Sequence, residues 1–481
     1  MNPQRLNQQS ATEWRIEPHD AMRVPGIFFA PEAVIRAMDE AVYQQVVRVA
    51  TLPGVVEAVY VWPNVRCGQG FPQGGVAAFD PEQGGVIVSS GVSGDVGWGV
   101  RVLRTGLSIN QLLPCWKALH DTLHSQIPNG NGVRVLRLTR RGIDAMLRGG
   151  ARWAVEMGYG LAADLERIEE GGCVAGADAS QVSDLAKARH LEEMGTLRFP
   201  QQYLKVHVVS QIYDHAVAQS LALHLDDVLV SIRCGSHSLG QQISLDSRRR
   251  LAAAGGHSGI TLSDQHLVCA PLTSEAGRHY LGAMRASANC AHANRQILTH
   301  LARRVFNRFF PEARLEVLYD VSYHTGRLET HQVDGQARLL HVHRQGVSRA
   351  LGPGHPDLPA AWRELGQLGL ISSGFDTAFY LTVAAASEQE RAFGSFGYGL
   401  APEPLRAGRE QSRRGLEQLA FLQRLGNSVW GPAPGEATAT VSQARAEVSD
   451  CSGLMEAAVP VGLTRCVARL KPLIHINSVA L

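Results

Sequence analysis

The amino-acid sequence predicts a single large domain in which helices and strands alternate along the chain. Segments with helical and with strand-like hydrophobic patterns are interleaved throughout. No internal repeat and no low-complexity linker divides the 481 residues, although that length alone would allow about three domains. A hydrophobic content of 45% and a charged content of 19% indicate a globular protein with a large core.

Helices are predicted where apolar residues recur with helical spacing between polar, glycine or proline stops. They cover residues 31–50, 108–127, part of 138–157, 180–193, 214–222 and 276–309, with a polar helix around 409–425. Pro114 is a flaw early in the second of these, because proline lacks the N–H group that a helix interior needs.

Strands are predicted from short apolar runs. These cover residues 203–209, 228–232, 315–321, 339–343, 379–385 and 466–476, and a further short apolar segment lies at 55–62. Between the strands at 315–321 and 339–343 we expect a loop that carries His324 and His331. The high density of glycine in region 68–99 predicts tight turns. The region contains neither a GxxxxGK[ST] phosphate loop nor a GxGxxG motif ahead of a helix, so these glycines do not indicate a phosphate-binding loop.

Charge and cysteine content narrow the class of protein. The 46 lysines and arginines nearly balance 44 acidic residues, so the net charge of +2 gives no argument for nucleic-acid binding beyond a local patch. We expect residues 1–20 to form a flexible segment without a signal peptide, and no apolar run is long enough to cross a bilayer. The 8 cysteines form no CxxC pair, and such scattered thiols predict a cytoplasmic protein.

The stretch LLHVHRQGVSRA, residues 339–350, has the strongest chemical character in the chain. Side chains alternate between the faces of a strand, so His341 and His343 should point the same way. A neutral imidazole nitrogen is a usable nucleophile at about pH 7. Arg344 and Arg349 carry planar donors that suit phosphate oxygens. Nucleotidyl transfer is one interpretation of this pattern, and a strand ending in solvated basic residues is the other.

Many ordered segments of the chain resemble the RtcB family of RNA ligases. They are RVPGIFF (23–29), TLPGVVEA (51–58), GFPQGGVAAFD (70–80), GVRVLRT (99–105), GARWAVEMGYG (150–160), EEGGCVAGAD (169–178), GSHSLGQQ (235–242), ANRQ (293–296), HRQGVSRA (343–350) and VARLKP (467–472). The match is colinear and covers nearly the whole chain. It therefore implies one α+β domain over residues 1–481, with internal mixed or antiparallel sheets flanked by helices.

The resemblance implies a GTP- and manganese-dependent enzyme of RNA repair and tRNA splicing. Such ligases join an RNA 2′,3′-cyclic phosphate or 3′-phosphate to a 5′-hydroxyl through a guanylylated histidine. By position, His343 resembles that nucleophile. The resemblance implies that the residues that bind nucleotide or RNA are Gln201, Arg233, Arg344, Gly346, Ser348 and Arg349.

The positions that match the family's metal ligands have changed. Asp95 is retained, but Trp98, Gln202, Arg233 and Tyr323 stand where the family has one cysteine and three histidines. Tryptophan has no lone pair for a metal. A guanidinium about 5 Å from a divalent ion costs roughly 7 kcal/mol at an effective dielectric constant of about 20. We therefore predict a divergent paralogue that ligates RNA weakly or not at all.

Other departures fall at binding positions too, whereas apolar and turn positions are kept. The changed segments are PNVR (63–66), SGFDT (373–377), YGLAP (398–402) and the terminal Asn477-Ser478. A scaffold that is kept while the pocket is rewritten indicates an altered function rather than unconstrained drift.

Three alternatives follow from this rewritten pocket. A relocated metal site could use histidines of one short region together with Asp95. Its candidate histidines are His324, His331, His341 and His343. In the second alternative, Arg233 and Arg66 bind phosphate groups without a metal ion, which would give a protein that binds RNA ends or nucleotides. The structural alternative is that each arginine pairs with a nearby carboxylate. Finally, the chain could be a regulatory or structural partner that associates with itself or with an active ligase.

Overall fold

Capping residues decide where several of the helices begin and end. The computed structural model describes residues 1–92, 95–130, 133–199, 201–262, 264–372, 378–385, 391–397 and 464–477. In these ranges the helices are α1 (Glu32–Ala37), α2 (Glu40–Val49), α3 (Ile109–Leu112), α4 (Trp116–Gln126), α5 (Arg140–Glu156), α6 (Ala162–Leu165), α7 (Asp184–His190), α8 (His215–Ser220), α9 (Ser238–His257) and α10 (Glu275–Phe309). None of the helices described is long and apolar enough to cross a membrane.

Two seven-stranded sheets carry most of the strands. The first has the order β1-β2-β3-β4-β5-β13-β12 and is antiparallel except where β3 pairs with β4. Its strands are β1 (Asn7–Gln8), β2 (Glu13–Ile16), β3 (Gly26–Phe29), β4 (Val55–Arg66), β5 (Gln73–Phe79), β12 (His324–Val333) and β13 (Gln336–Gln345).

The second sheet is antiparallel throughout its seven strands, in the order β11-β7-β9-β8-β18-β16-β15. They are β7 (Gly99–Ser108), β8 (Tyr203–Ile212), β9 (Asp227–Cys234), β11 (Glu316–Ser322), β15 (Leu368–Ser372), β16 (Phe379–Ala384) and β18 (Thr464–Asn477). Two ribbons complete the strands: β6 (Val86–Val88) with β10 (Cys269–Pro271), and β14 (Val347–Arg349) with β17 (Ser395–Gly397).

The long helix α10 organises the core. Its small and apolar residues are buried from Gly277 to Phe306, and it packs against α5, α9 and α4. The α+β prediction is confirmed, because helices flank two internal sheets that are almost wholly antiparallel. Residues 1–20 hold a 3-10 turn at Pro3–Arg5 together with β1 and β2.

Several predicted boundaries are wrong for local reasons. The helix predicted over residues 31–50 is two helices, because the Asp39 side chain accepts the Ala41 N–H and starts α2 afresh. The helix predicted over residues 180–193 is only α7, which Ser183 caps by accepting the Ala186 N–H. Pro114 does interrupt its segment, with a 3-10 turn between α3 and α4.

The loop predicted to carry His324 and His331 is instead the edge strand β12. It pairs in register with β13, from His324 opposite Gln345 to Val333 opposite Gln336. Asp334 and Gly335 connect the two strands with φ angles of 51° and 74°. Asp-Gly is a strong signal for a two-residue hairpin turn, and the sequence prediction overlooked it. The glycine-rich region likewise contains β5 and β6, and the helix predicted around residues 409–425 lies outside the described residues.

Candidate functional site

The five positions that resemble the family's metal ligands lie together where β7, β8 and β9 meet the junction of β11 and β12. The Arg233 guanidinium carbon is 4.0 Å from the centroid of the Trp98 ring. The rings of Trp98 and Tyr323 have centroids 6.0 Å apart. The Gln202 amide donates to the Asp95 carboxylate at 3.5 Å. Strand pairing produces this cluster, because residues far apart in sequence reach the same end of the second sheet.

Arg233 is held by aromatic rings inside this cluster. Its side chain is 5% exposed, and its guanidinium carbon also lies 5.5 Å from the centroid of the Tyr203 ring. Trp98 is buried too, as is Tyr323, whose hydroxyl donates to the Leu370 carbonyl at 3.2 Å. A cation over an aromatic face is attracted by the ring quadrupole. The cluster therefore contains a fixed positive charge.

Asp95 binds the turn that precedes α9. Its carboxylate accepts the His237 backbone N–H at 3.0 Å and lies 3.4 Å from the Ser236 hydroxyl. Burial raises the pKa of Asp95 to about 6, while hydrogen bonds from the backbone of His237 and Ser236 oppose that rise. His237 has a φ of 56°, which is unusual for a residue other than glycine. Asp95 thus stabilises a strained turn at the start of a 20-residue helix.

A buried polar network that the sequence analysis missed continues from this turn. The Gln202 amide donates to Nδ1 of His237 at 2.8 Å, and burial lowers the pKa of His237 to about 3. Nearby, His190 lies 3.1 Å from Glu193 through Nδ1 and 2.9 Å from the Cys290 sulfur through Nε2. The side chains of this network come from four separate segments of the chain, so no sequence motif could have predicted it.

The residues present do not fit the manganese ions that the family resemblance implies. A tryptophan ring offers no lone pair, and the Arg233 charge opposes any cation placed beside Asp95. Across the described ranges, no three side chains of histidine, cysteine, aspartate or glutamate converge to hold a metal. Two of the four candidate histidines for a relocated site cannot share one ion. His331 and His324 are seven positions apart on β12, so they lie on opposite faces of the strand.

His343 and His341 lie side by side on β13, facing the same way as predicted. Both are fully buried, and their Nδ1 atoms are 3.3 Å apart. The Val88 backbone N–H donates to Nε2 of His343 at 3.1 Å. The Phe79 ring meets the His343 ring edge-on, with centroids 5.0 Å apart. Burial lowers the pKa of His343 to about 3, so this imidazole is neutral at physiological pH.

The two arginines after His343 are neither solvated nor presented to its face. Arg344 lies on the opposite face of β13 and donates twice to Glu329, at 2.8 and 2.7 Å. Arg349 lies 3.2 Å from Glu169. The interpretation of a strand ending in solvated basic residues is therefore wrong. Buried carboxylates hold both guanidiniums.

The other residues predicted to bind nucleotide or RNA are spread over this region. Gly346 has a φ of 68°, and its carbonyl accepts the Asn64 amide at 3.2 Å. The Ser348 hydroxyl donates to the Phe396 carbonyl at 3.2 Å. Gln201 is exposed beside the buried Gln202. Of the six residues, Arg233 therefore lies in the Asp95 cluster and Gln201 at its margin.

Comparison with known proteins identifies the family. A family model described as tRNA-splicing ligase RtcB matches residues 45–478. The tRNA-splicing ligase RtcB of Thermococcus kodakarensis is 36% identical over 471 residues, covering 96% of this chain and 96% of that protein. The RNA-splicing ligase RtcB of Mycobacterium tuberculosis is 41% identical over 432 residues, covering 89% of this chain and 99% of that protein. The chain therefore belongs to the RtcB family, as its ordered motifs predicted.

Proposed function

We propose that this RtcB-family protein has lost most or all of the GTP- and manganese-dependent ligation that the family resemblance implies. One observation carries the proposal: the Arg233 guanidinium lies 4.0 Å from the Trp98 ring, within the cluster that also contains Asp95. The Arg233 guanidinium and the Trp98 indole lie at two of the positions that resemble the family's metal ligands. His343 is the residue that any remaining guanylylation would use.

A metal-independent binding function is the second candidate. It is favoured by the same buried guanidinium, because a positive charge that repels a divalent cation attracts a phosphate. The ligand would be an RNA 3′-phosphate end or a nucleotide. Gln201 is exposed at the margin of the cluster and could contact such a ligand.

A cytoplasmic location and association with another protein are further parts of the proposal. The described cysteines are free thiols, which is compatible with a reducing, cytoplasmic location. Association with a second copy or with an active ligase would give a regulatory role, and co-purification of such a ligase from the same cell is the observation that would support it.

Intact mass measurement tests the loss of guanylylation. We expect no GMP adduct after incubation with GTP and Mn²⁺, because among the described residues no group of three histidine, cysteine, aspartate or glutamate side chains is placed to hold the metal beside Asp95. An adduct that forms on the wild type and disappears in His343→Ala would overturn the proposal.

A variant that restores the family's ligand types provides the matched control. It combines Trp98→Cys, Gln202→His, Arg233→His and Tyr323→His. We expect this variant to bind Mn²⁺ measurably by calorimetry, whereas the wild type binds at least about tenfold more weakly. Equal Mn²⁺ affinity in the two proteins would show that the substituted side chains are not what prevents metal binding.

A further inference from the structure

A basic surface lies along the outer side of α5 and on the segment that precedes this helix. Residues 134–152 contain six arginines, one aspartate and no other charged residue. On the opposite side of α5, apolar residues such as Ile143 and Leu147 are buried. All six arginines are exposed, and together they define the basic surface: Arg134, Arg137, Arg140, Arg141, Arg148 and Arg152. The net charge of +2 for the whole chain therefore conceals a strongly positive local region.

Ion pairs neutralise only part of the basic surface. Arg134 and Arg137 share one carboxylate, that of Glu192, at 2.7 and 3.5 Å. Arg140 pairs with Asp184. The side chains of these three arginines are still at least 70% exposed. Exposed pairs of this kind contribute little free energy, so the guanidiniums remain accessible to another anion.

The other three arginines, Arg141, Arg148 and Arg152, form no ion pair with any carboxylate in the described part of the chain. Asp144, on the same helix, lies 2.8 Å from Lys187 and so neutralises a lysine outside the basic surface. Exposed cations that are not neutralised raise the local positive potential and attract a polyanion. The charge of the surface is therefore complementary to a ligand with several negative charges.

The geometry of α5 distributes these charges along a line. Arg141 and Arg148 are seven positions apart, which is about two helical turns, so they lie on the same side of the helix. Gly150, with a φ of 58°, interrupts α5 after them, and Arg152 follows. A Cβ atom at Gly171 would lie 4.0 Å from Nη2 of Arg152, so the charge extends to the neighbouring loop. A helix of 17 residues is about 25 Å long, which is enough for several phosphates.

We propose that the basic surface binds the sugar-phosphate backbone of a single-stranded RNA. All of its cations are arginines, whose planar guanidinium groups suit phosphate oxygens. Contacts to phosphate position a nucleic acid without reading its sequence. The choice of RNA rather than an acidic protein rests on the proposed function, in which the Asp95 cluster binds an RNA end. The basic surface would hold the body of the same strand.

Helix α10 separates the basic surface from the Asp95 cluster. The Asn289 amide donates to the Arg148 carbonyl at 3.2 Å. The neighbouring residue Ala288 packs against Gly97, where a Cβ atom would lie 2.9 Å from the Ala288 Cα atom. Gly97 is two positions from Asp95. Since a helix is only about 10 Å across, an RNA strand on α5 could extend to the cluster.

Fluorescence anisotropy in the presence of a chelator tests the proposal. The probes are two RNAs of about 12 nucleotides that differ only in a 3′-hydroxyl or a 3′-phosphate. The variant combines Arg141→Gln, Arg148→Gln and Arg152→Gln. We expect it to bind both RNAs about tenfold more weakly at low salt. The slope of log affinity against log salt should become shallower by about 2, because three phosphate contacts are lost.

A control variant loses the same charge elsewhere on the surface of the protein. It combines Arg36→Gln, Lys117→Gln and Arg314→Gln, which are all exposed positions. We expect this control to bind both RNAs like the wild type. Wild-type affinity and salt dependence in the α5 variant would overturn the proposal, as would a wild type that binds neither RNA at low salt. A polyglutamate peptide of equal charge that binds as tightly as the RNA would overturn the choice of RNA.

The two RNA ends distinguish this inference from the proposed function. The α5 variant should weaken binding of both ends by the same factor, whereas recognition of the end by Arg233 concerns the 3′-phosphate alone. Equal wild-type affinity for the two ends would contradict end recognition. A loss of affinity for both RNAs in the α5 variant would still support the basic surface.

Chemical modification of arginine with phenylglyoxal tests the wild type without any variant. Sites of modification are mapped by mass spectrometry with and without the 3′-hydroxyl RNA. We expect the RNA to protect Arg141, Arg148 and Arg152 and to leave Arg314 as reactive as before. Equal modification of the three α5 arginines with and without RNA would overturn the proposal.

Discussion

Asp95 illustrates how a residue at a position that resembles a metal ligand can also serve the fold. In the family resemblance it is a metal ligand, but here its carboxylate binds the backbone of the turn before α9. The neighbouring amide of Gln202 and hydroxyl of Ser236 also lie within hydrogen-bonding distance. Its retention is therefore explained by the fold of the turn as well as by chemistry.

The raised pKa of Asp95 predicts a specific pH dependence of stability. Its value of about 6 in the folded protein exceeds the ordinary 3.8, so the folded state holds this proton more tightly than the unfolded state does. The contribution of Asp95 is therefore most favourable below about pH 4, falls as the pH rises to about 6, and is constant above that. We expect Asp95→Asn to remove this slope.

Urea unfolding between about pH 4 and pH 7 measures the effect. The free energy of unfolding of Asp95→Asn relative to the wild type should rise by about 2 kcal/mol across this range, after allowance for the partial exposure of the side chain. Ser236→Ala is the control, since it removes a neighbouring hydroxyl without removing the charge. A constant difference between Asp95→Asn and wild type would contradict the prediction.

At the scale of secondary-structure elements, a buried ion network joins α10 to both neighbouring strands of the second sheet. Asp320 on β11 accepts from Arg295 of α10 and from Arg101 of β7, each at 2.8 Å. All three side chains are fully buried. The two guanidiniums lower the pKa of Asp320 to about 2 despite its burial, so the carboxylate remains charged.

Removing this carboxylate should be strongly destabilising. Asp320→Asn replaces the carboxylate that two buried guanidiniums share with a neutral amide, and we expect a loss of about 3–5 kcal/mol in the free energy of unfolding. Glu316→Gln is a matched control on the same strand, because Glu316 pairs with Arg104 at a half-exposed site. That change should cost less than about 1 kcal/mol. Similar losses in the two variants would show that the buried network does not anchor α10.

At the scale of the whole molecule, charge is local rather than global. The net charge of +2 gives no argument for binding a polyanion, and the buried arginines of β13 and β14 are paired with glutamates. The Arg233 guanidinium lies over the rings of Trp98 and Tyr203, in the same cluster as Asp95. We propose that any binding of an RNA end depends on this small region.

We expect the protein to bind an RNA oligonucleotide with a 3′-phosphate in the presence of a chelator. Affinity should fall steeply with salt, and Arg233→Gln should weaken it about tenfold, because a charge-assisted contact to phosphate is lost. Fluorescence anisotropy measures both effects. Arg314→Gln, at an exposed site, is the control variant, and a 3′-hydroxyl RNA is the control ligand. Equal affinity for the two RNA ends would contradict phosphate recognition.

Much of the fold could be predicted because its signals are local. Periodic apolar residues identified α5 and α10 closely, and short apolar runs identified β8, β9, β11 and β18. The failures were also local in origin. The Asp39 cap split one helix in two, and the Asp334-Gly335 turn made a strand of a predicted loop. Capping and turn chemistry override hydrophobic periodicity over a few residues.

Family membership and the altered ligand positions could be predicted from the sequence, because motifs are recognised by the order and identity of their residues, wherever those residues lie in the fold. The pairing of charged side chains could not be predicted in this way. Arg349 meets a carboxylate 180 positions away, and Arg344 meets one 15 positions away across a hairpin. Such pairings depend on strand register and on the meeting of the two sheets. Only the tertiary structure could therefore decide that these arginines are buried ion pairs, that Asp95 caps a turn, and that Arg233 lies against Trp98.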